Sequence, residues 1–501
     1  MDATILGFQA IFSNPSIFLL MVFGVFLGII FGAIPGLTAT LGVTLMIPFT
    51  FTMSAEQGLA LLVGIFVGGI SGGLITAILI NIPGTPASIA TVWDGYPMAK
   101  NGRAGDALSL GVFASLLGGT ASAIALFTIA PLIAKVALNM QSWEMFSVCL
   151  MGLVVVSVLT SEDVVKGLLG VFLGLLLGTI GMDVMLGISR WTFGHWQLMN
   201  GIQSTALMMS LFAIREIMDQ VADIHKVREK MQVKRVSFVP PLKILKKDSW
   251  RAIGVGSLTG IIIGILPGIG QNVAAILSYN QAKALSKHPE KFGTGIPEGI
   301  VSCESSNNAV NGGALIPLVT LGIPGDLVTA ALIGGLMIHG LQPGPRLFAD
   351  HPQVVGTIMV VYFLANIVMY IMELGLLKVF VKIIQVRLSY LFPAVLIFCV
   401  LGVYALNNLT FDIWILIIFA VVAYILNQFK IDLVTIILGF ILGPLIERYF
   451  KTGMMLTEGK ISGILDRPIA VSFLIIAVLF LFYPVVSKQI KKHTAKNANN
   501  E

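Results

Sequence analysis

Residues 28–36 read GIIFGAIPG, and residues 260–268 read GIIIGILPG. The two stretches agree at six of nine positions, with their glycines and proline in register. Each closes an apolar run, and each is followed by small, polar-leaning residues. Proline has no amide to donate, and glycine reaches backbone angles that other residues avoid, so the chain leaves helical geometry at both places. A helix break repeated at corresponding positions of a very apolar chain points to the substrate site of a transporter.

Outward from these breaks the two halves continue to echo each other. Ser71-Gly72-Gly73 is matched by Asn311-Gly312-Gly313, and Ile82-Pro83-Gly84-Thr85 by Ile323-Pro324-Gly325-Asp326. Asp94-Gly95-Tyr96-Pro97 is loosely matched by His339-Gly340-Leu341-Gln342-Pro343. Several motifs in the same order indicate duplication. The span count between equivalents decides whether the repeat is inverted or parallel; inverted is the commoner arrangement in folds with broken helices.

The composition fixes the solvent. Of 501 residues, 56% are hydrophobic and 11% charged, and the mean hydropathy is +0.93. Soluble domains carry about 25% charged residues. An apolar excess of this size needs lipid around much of the chain. Only Asp2, Glu56 and Asp94 precede the first cation, Lys100. A cleaved secretory signal needs a basic start, so the N-terminus is expected to be retained.

The apolar runs predict an all-α integral membrane protein of about 10–12 spans plus re-entrant or broken pieces. Leu37 to Phe51 and Gly313 to Ile323 are too short to cross and read as half-helices, tolerated only where they line a protein-enclosed cavity. The expected organisation is a membrane repeat over 1–214, a basic connector over 215–250, a second repeat over 251–487 and a basic tail over 488–501. The connector cluster comprises Arg215, Lys226, Arg228, Lys230, Lys234, Arg235, Lys243, Lys246, Lys247 and Arg251, and the tail holds Lys488, Lys491, Lys492 and Lys496. Basic loops stay on the cytoplasmic side. Helical spacing over Ile214 to Val233 suggests an amphipathic surface helix, with a solvated linker as the alternative. The clusters lack interleaved aromatics, which argues against nucleic acid. Cys149, Cys303 and Cys399 are far apart and suggest neither a disulfide frame nor a zinc site.

A helix that starts just after a break points free N–H groups and partial positive charge into it, which favours carboxylates. The candidate substrate-binding residues are therefore Gly36, Thr38, Thr40, Gly84, Thr85, Ser88, Gly268, Gln271, Asn272 and Gly325. The glycines bring the backbone close; the hydroxyls and amides cap the new helix and donate to a ligand. The most polar membrane-region segment is EGIVSCESSNNAVNGG, 298–313. Polar groups are costly in lipid, so it faces a cavity, an ion or another helix, unless it is an extramembrane loop. Its oxygens, with Asn81 beside one break and Asp326 beside another, suit a hard monovalent cation. The candidate ion-coupling set is Asn81, Ser305, Ser306, Asn307, Asn308, Asn311 and Asp326, with sodium as the possible metal. Asp326 also reads as an N-cap. DGYPMAKNGR, 94–103, reads as a polar loop whose cations form a positive-inside flank. Glu373 reads as an acid snorkelling from a run's end, and Asn366 as a helix–helix contact. No H-E-x-x-H, G-x-S-x-G or P-loop is present, so neither a catalytic constellation nor an ATP-driven pump is expected.

GAIPGLTATLGVTLMIPFTF, ILINIPGTPASIATVWDGYPMAKNGRAGDAL, GILPGIGQNVAAILSYNQAKALSK and GIPEGIVSCESSNNAVNGGALIPLVTLGIPGDLVTAALIGGL resemble the large membrane subunit of the tripartite tricarboxylate transporters, the TctA family. The resemblance covers roughly residues 15–450. It implies a bacterial inner-membrane, multi-pass secondary transporter driven by sodium or protons, with no cofactor beyond that ion. It implies a small four-span membrane subunit and a periplasmic substrate-binding protein as partners, and citrate-like tricarboxylates or other carboxylates as substrates. By analogy it implies an elevator-type fold; it leaves a homo-oligomer open. The rival readings are a carboxylate-selective channel or passive permease, and an intramembrane enzyme using Asp94, Glu304 or Asp326.

Overall fold

The computed structural model describes residues 3–160, 163–183, 185–220, 236–240, 244–384, 386 and 388–482. In chain order the helices are α1 Ala3–Ser13, α2 Pro15–Ala33, α3 Ala39–Thr50, α4 Ala55–Ile80, α5 Ile89–Met98, α6 Ala104–Ala137, α7 Ser142–Thr160, α8 Val164–Gly178, α9 Ser204–Met208 and α10 Arg215–Gln220. They continue with α11 Lys247–Ile265, α12 Gly270–Leu285, α13 Pro297–Leu321, α14 Leu327–Ile338, α15 Pro345–Asp350, α16 Pro352–Gly375, α17 Leu377–Ile383, α18 Leu388–Asn407, α19 Thr410–Gln428, α20 Leu433–Leu456 and α21 Pro468–Phe482. Strands β1, Gly181–Met182, and β2, Ser189–Arg190, form one small antiparallel pair. The protein is an all-α integral membrane protein. Among the described residues, eight helices are long and apolar enough to cross a bilayer; α11 and α13 match them in length but are more polar.

Caps written in the sequence fix the helix starts. Thr38 accepts the Leu41 N–H at 3.1 Å and opens α3. Ser54 and Gln57 form a reciprocal capping box on α4, and Asp326 and Thr329 do the same on α14. Prolines 15, 297 and 352 occupy first turns, where a missing N–H costs nothing.

The described residues form two packing units. One comprises Met1–Ala137 and Met208–Ile417; the other comprises Leu138–Leu207 and Ile418–Glu501. The packing thus divides along a different line from the two sequence halves. The basic connector from 221 to 235, Lys243 and the tail beyond 482 lie outside the described residues, and most of the expected amphipathic helix lies there too.

Inside the first unit, α2 runs alongside α4 in the same direction: Gly24 touches Leu61, Gly28 touches Ile65, and Gly32 touches Gly69 and Gly73. The second half repeats this, with Gly256 on Ser302, Gly260 on Ser306, and Gly264 on Val310 and Ala314. Helix α6 runs with α13 (Gly111 beside Ile300, Gly118 beside Ser305, Ser122 beside Gly312). It runs against α16, where Phe113 meets Tyr370, Gly119 meets Asn366 and Ser122 meets Tyr362. Helix α4 runs with α16, joined by Glu56 to Gln353 at one end and by Ser71 to Glu373 at the other. The matching helices α4 and α13 therefore run in opposite senses.

Three expectations are corrected. Gly313 to Ile323 is no separate half-helix: its residues to Leu321 complete α13, and the polar stretch 298–313 is the buried body of that helix rather than a loop. Residues 94–103 are mostly helical, broken at Asn101 and Gly102. Glu373 does not snorkel; it is 0% exposed.

In the second unit α8 packs on α20. A methyl at Gly174 would stand 2.0 Å from the Ile436 carbonyl oxygen, and one at Gly439 2.5 Å from that of Val171. Arg190 on β2 forks onto Glu447 at 2.6 and 3.0 Å, and Lys451 bridges Glu447 and Asp183. Large apolar side chains stand exposed in both units: Phe398, Leu401 and Trp414 in the first, Ile418 and Leu479 in the second. Lipid is the solvent that such surfaces need.

Candidate functional site

Each half brings its two breaks together. In the first half α4 ends on Asn81 in the left-handed conformation, φ 59°, and the chain returns through Ile82, Pro83 and Gly84. A methyl on Gly84 would lie 2.1 Å from the Gly32 carbonyl oxygen and 2.8 Å from Thr76 Oγ1. Its N–H donates to the Gly73 carbonyl at 3.2 Å. In the second half α13 ends on left-handed Gly322, and a methyl on Gly325 would lie 2.4 Å from the Gly264 carbonyl oxygen. Gly325 also accepts the Gly268 N–H at 2.9 Å.

The first half builds a nest of hydroxyls. Thr85 Oγ1, Ser88 Oγ and the Thr85 N–H converge on the space left by Gly73, at 2.5, 2.7 and 3.1 Å from where a methyl would be. Thr85, Ser88 and Thr76 are buried, and none of their hydroxyls has a hydrogen-bond partner. Most buried polar groups are paired, so three orphans in one place need an explanation. A carboxylate, which only accepts, is the complementary ligand. Helix α12, from the second half, packs against this turn, Pro86–Ser88, and against α5.

The second half differs chemically. Ala314 stands against Gly325 where Gly73 stands against Gly84, so the second half carries a methyl where the first has only a hydrogen. Asp326 replaces Thr85 in the motif. Its Oδ1 accepts from the Thr329 N–H at 2.7 Å and the Thr329 hydroxyl at 2.6 Å, and its Oδ2 accepts from Gln271 Nε2. The same Nε2 reaches Asn311 Oδ1 at 3.3 Å. These partners are neutral. A carboxylate so buried needs a proton or a cation beside it. Asn311 Nδ2, Asn308 Oδ1, Asn307 Oδ1 and Ser306 Oγ are buried without partners on the same helix.

The structure thus joins Thr85, Ser88 and Gly84 in one group, and Gln271, Asn311, Asp326, Gly268 and Gly325 in another. Gly36, Thr38, Thr40 and Asn272 stand near the starts of α3 and α12, with no hydrogen bond to either group among the described residues. The Thr38 hydroxyl caps α3. Ser305 Oγ bonds the Ser302 carbonyl, and its backbone supports the Gly118 contact, so it serves helix packing. Asn81 is exposed, and its left-handed angles mark it as the counterpart of Gly322.

Sequence reasoning missed one member. Thr76 lies inside an apolar run, and only its contact with Gly84 reveals it. Glu304 accepts from Thr91 Oγ1 and from Ser115 Oγ at 3.2 Å, fully buried. Asp94 is engaged structurally. Its Oδ1 accepts the N–H groups of Gly293, Gly295 and Ile296 at 2.7–3.0 Å, and its Oδ2 accepts the Tyr279 hydroxyl at 2.8 Å.

The profile of the tripartite tricarboxylate transporter TctA family matches residues 18–438. The chain is 36% identical over 476 residues to an uncharacterised 52.8 kDa protein of the TAR-I ttuC′ 3′ region of Agrobacterium vitis, covering 94% of each chain. It is 34% identical over 230 residues to an uncharacterised protein of the TAR-II ttuC′ 3′ region of the same organism, covering 45% of this chain and 95% of that one. No solved structure matches. The family match spans both pairs of breaks and nearly all of the helical body around them, and the chain belongs to the tripartite tricarboxylate transporter TctA family.

Proposed function

We propose that this chain is the translocating subunit of an ion-coupled importer of citrate-like tricarboxylates in the bacterial inner membrane. A periplasmic binding protein delivers the substrate, and a small four-span subunit completes the complex. The observation that carries this reading is a nest of three buried hydroxyls without partners: Thr85 and Ser88 against Gly73, and Thr76 against Gly84. It receives a substrate carboxylate, helped by the Thr85 N–H and by the polar start of α12. The coupling ion, sodium or a proton, belongs with the acid side, where Asp326, Gln271 and Asn311 meet. The opposite senses of α4 and α13 support inverted repeats, and the pinned pairs of breaks support an elevator-type carrier with a moving body.

The test is uptake of labelled citrate into proteoliposomes holding the full chain and its partner subunits, under imposed sodium or pH gradients. Accumulation under one gradient, lost in Thr85→Val and Ser88→Ala, is expected. Uptake indifferent to both gradients, or to both substitutions, would sink the reading.

A further inference from the structure

Helix α16 carries one carboxylate, Glu373, fully buried. Its Oε2 accepts from Ser71 Oγ at 2.7 Å, and its Oε1 has no partner. Among the described residues no ion pair reaches it. Helices α1 and α2, both packed on α16, hold no titratable side chain. Helix α4 holds only Glu56, in its first turn. Helix α6 holds Asp106 and Lys135 near its ends, and α15 holds Arg346 and Asp350. Lys378 and Lys382 on α17 are exposed. On α16 itself Tyr362 bonds Ser122 and the Asn308 carbonyl, and Tyr370 donates to the Phe238 carbonyl. Glu304 on α13 is the other acid within electrostatic reach.

A hydroxyl is an unusual sole partner for a buried carboxylate. An Arg or Lys would hold the group ionised. A hydroxyl both donates and accepts, so the Ser71 bond survives in either protonation state. Ser71 donates to the carboxylate, and the protonated carboxyl donates back to Ser71. Ser71 also lies two residues before Gly73, so one turn of α4 touches the acid on one side and the hydroxyl nest on the other.

We propose that Glu373 is a proton-binding site of the transport cycle, and that the Ser71–Gly73 turn couples its protonation to occupation of the nest. The coupling half of this proposal rests on the carboxylate-transport reading above. A substrate that prefers one position of the turn shifts proton affinity, and the proton shifts substrate affinity by the same factor.

The experiment is infrared difference spectroscopy of the full chain in lipid nanodiscs during pH steps, without and with citrate. A carboxyl C=O band that titrates is expected. It should be lost in Glu373→Gln, kept in Glu304→Gln, and shifted in midpoint by citrate. Ser71→Ala should move the midpoint and abolish the citrate shift. In proteoliposomes Glu373→Gln should lose the pH dependence of citrate accumulation, and Glu373→Asp should restore part of it. A Glu373 band that ignores pH, or Glu373→Gln vesicles that accumulate citrate as wild type does, overturns the proposal. If Glu373→Gln does not fold, Ser71→Ala decides: an unmoved midpoint overturns it. If citrate neither binds nor crosses in wild type, the transport reading falls, while a titrating Glu373 band still stands.

Discussion

Replacing Gly73 by alanine probes the hydroxyl nest with a single methyl group. That methyl would stand 2.5 Å from Thr85 Oγ1, 2.7 Å from Ser88 Oγ and 3.1 Å from Thr85 N. Ordinary contact begins at 3.4 Å, so the two hydroxyls must retreat by roughly 0.9 and 0.7 Å. Both side chains are buried, and overpacking of this kind costs about 1–3 kcal/mol. Alanine returns about 0.5–1 kcal/mol through backbone entropy in a helix. The net loss of stability is therefore on the order of 1 kcal/mol, and the protein stays folded. Binding suffers more, because the methyl displaces the two hydroxyls that donate to the carboxylate. Hydrogen bonds to a charged group contribute about 1.5–3 kcal/mol each. Loss of two weakens binding by about two orders of magnitude or more. The assay is calorimetric citrate affinity and thermal stability in detergent, with Gly254→Ala as control, since nothing lies within 4 Å of that position. Gly254→Ala should bind as wild type does. Ser88→Ala, which adds no bulk, should weaken binding about tenfold. A folded Gly73→Ala protein with wild-type affinity refutes the assignment of the nest.

Other outcomes follow from the same contacts. Gly84→Ala and Gly325→Ala drive a methyl onto a carbonyl oxygen of the fixed backbone, at 2.1 and 2.4 Å. Each should lower thermal stability by at least about 1–3 kcal/mol, read in a melting assay with and without citrate. Asp94→Ala strips three backbone N–H groups of their acceptor and should cost about 3 kcal/mol, with protease cleavage appearing between 286 and 296. Asp183 is held at about 2, below the ordinary carboxylate range, mainly by the hydrogen bond from the Lys451 ammonium and then by the Met185 N–H. Its folded value is depressed, so its contribution is complete above about pH 4 and is lost as pH falls toward 2. Asp183→Asn should flatten the stability profile across that window, measured by thermal melts at stepped pH.

The breaks themselves were legible because proline and glycine act locally. Gly36, Gly84, Gly268 and Gly325 each stand where the chain departs from a helix, as the spacing requires. Asp326 was legible as an N-cap for the same reason, and the structure adds Gln271 across from it. Pairwise proximity was not legible. Nothing in the local sequence brings Gly84 onto Gly32 or sets Thr76 beside them; that follows from the parallel packing of α2 on α4. The stretch 298–313 was legible as a polar segment inside the membrane region, but not as one helix: its Ser, Asn and Gly residues have weak helix propensity, and contacts with α6, α11 and α12 bury it as α13. Glu373 misled because a lone acid near the end of an apolar run resembles an interfacial anchor. Only its position against Ser71 distinguishes the two.

The contact of Gly84 with the Gly32 carbonyl, and of Gly325 with that of Gly264, has a mechanical side. In each half the two interruptions lean on one another, the later one wedged under the end of the earlier helix. Neither proline can act as a hinge without dislodging its neighbour. On the carrier reading proposed above, exposure of the ligand to one face of the membrane and then the other carries both loops of a half together, with the bending left to segments further along the chain.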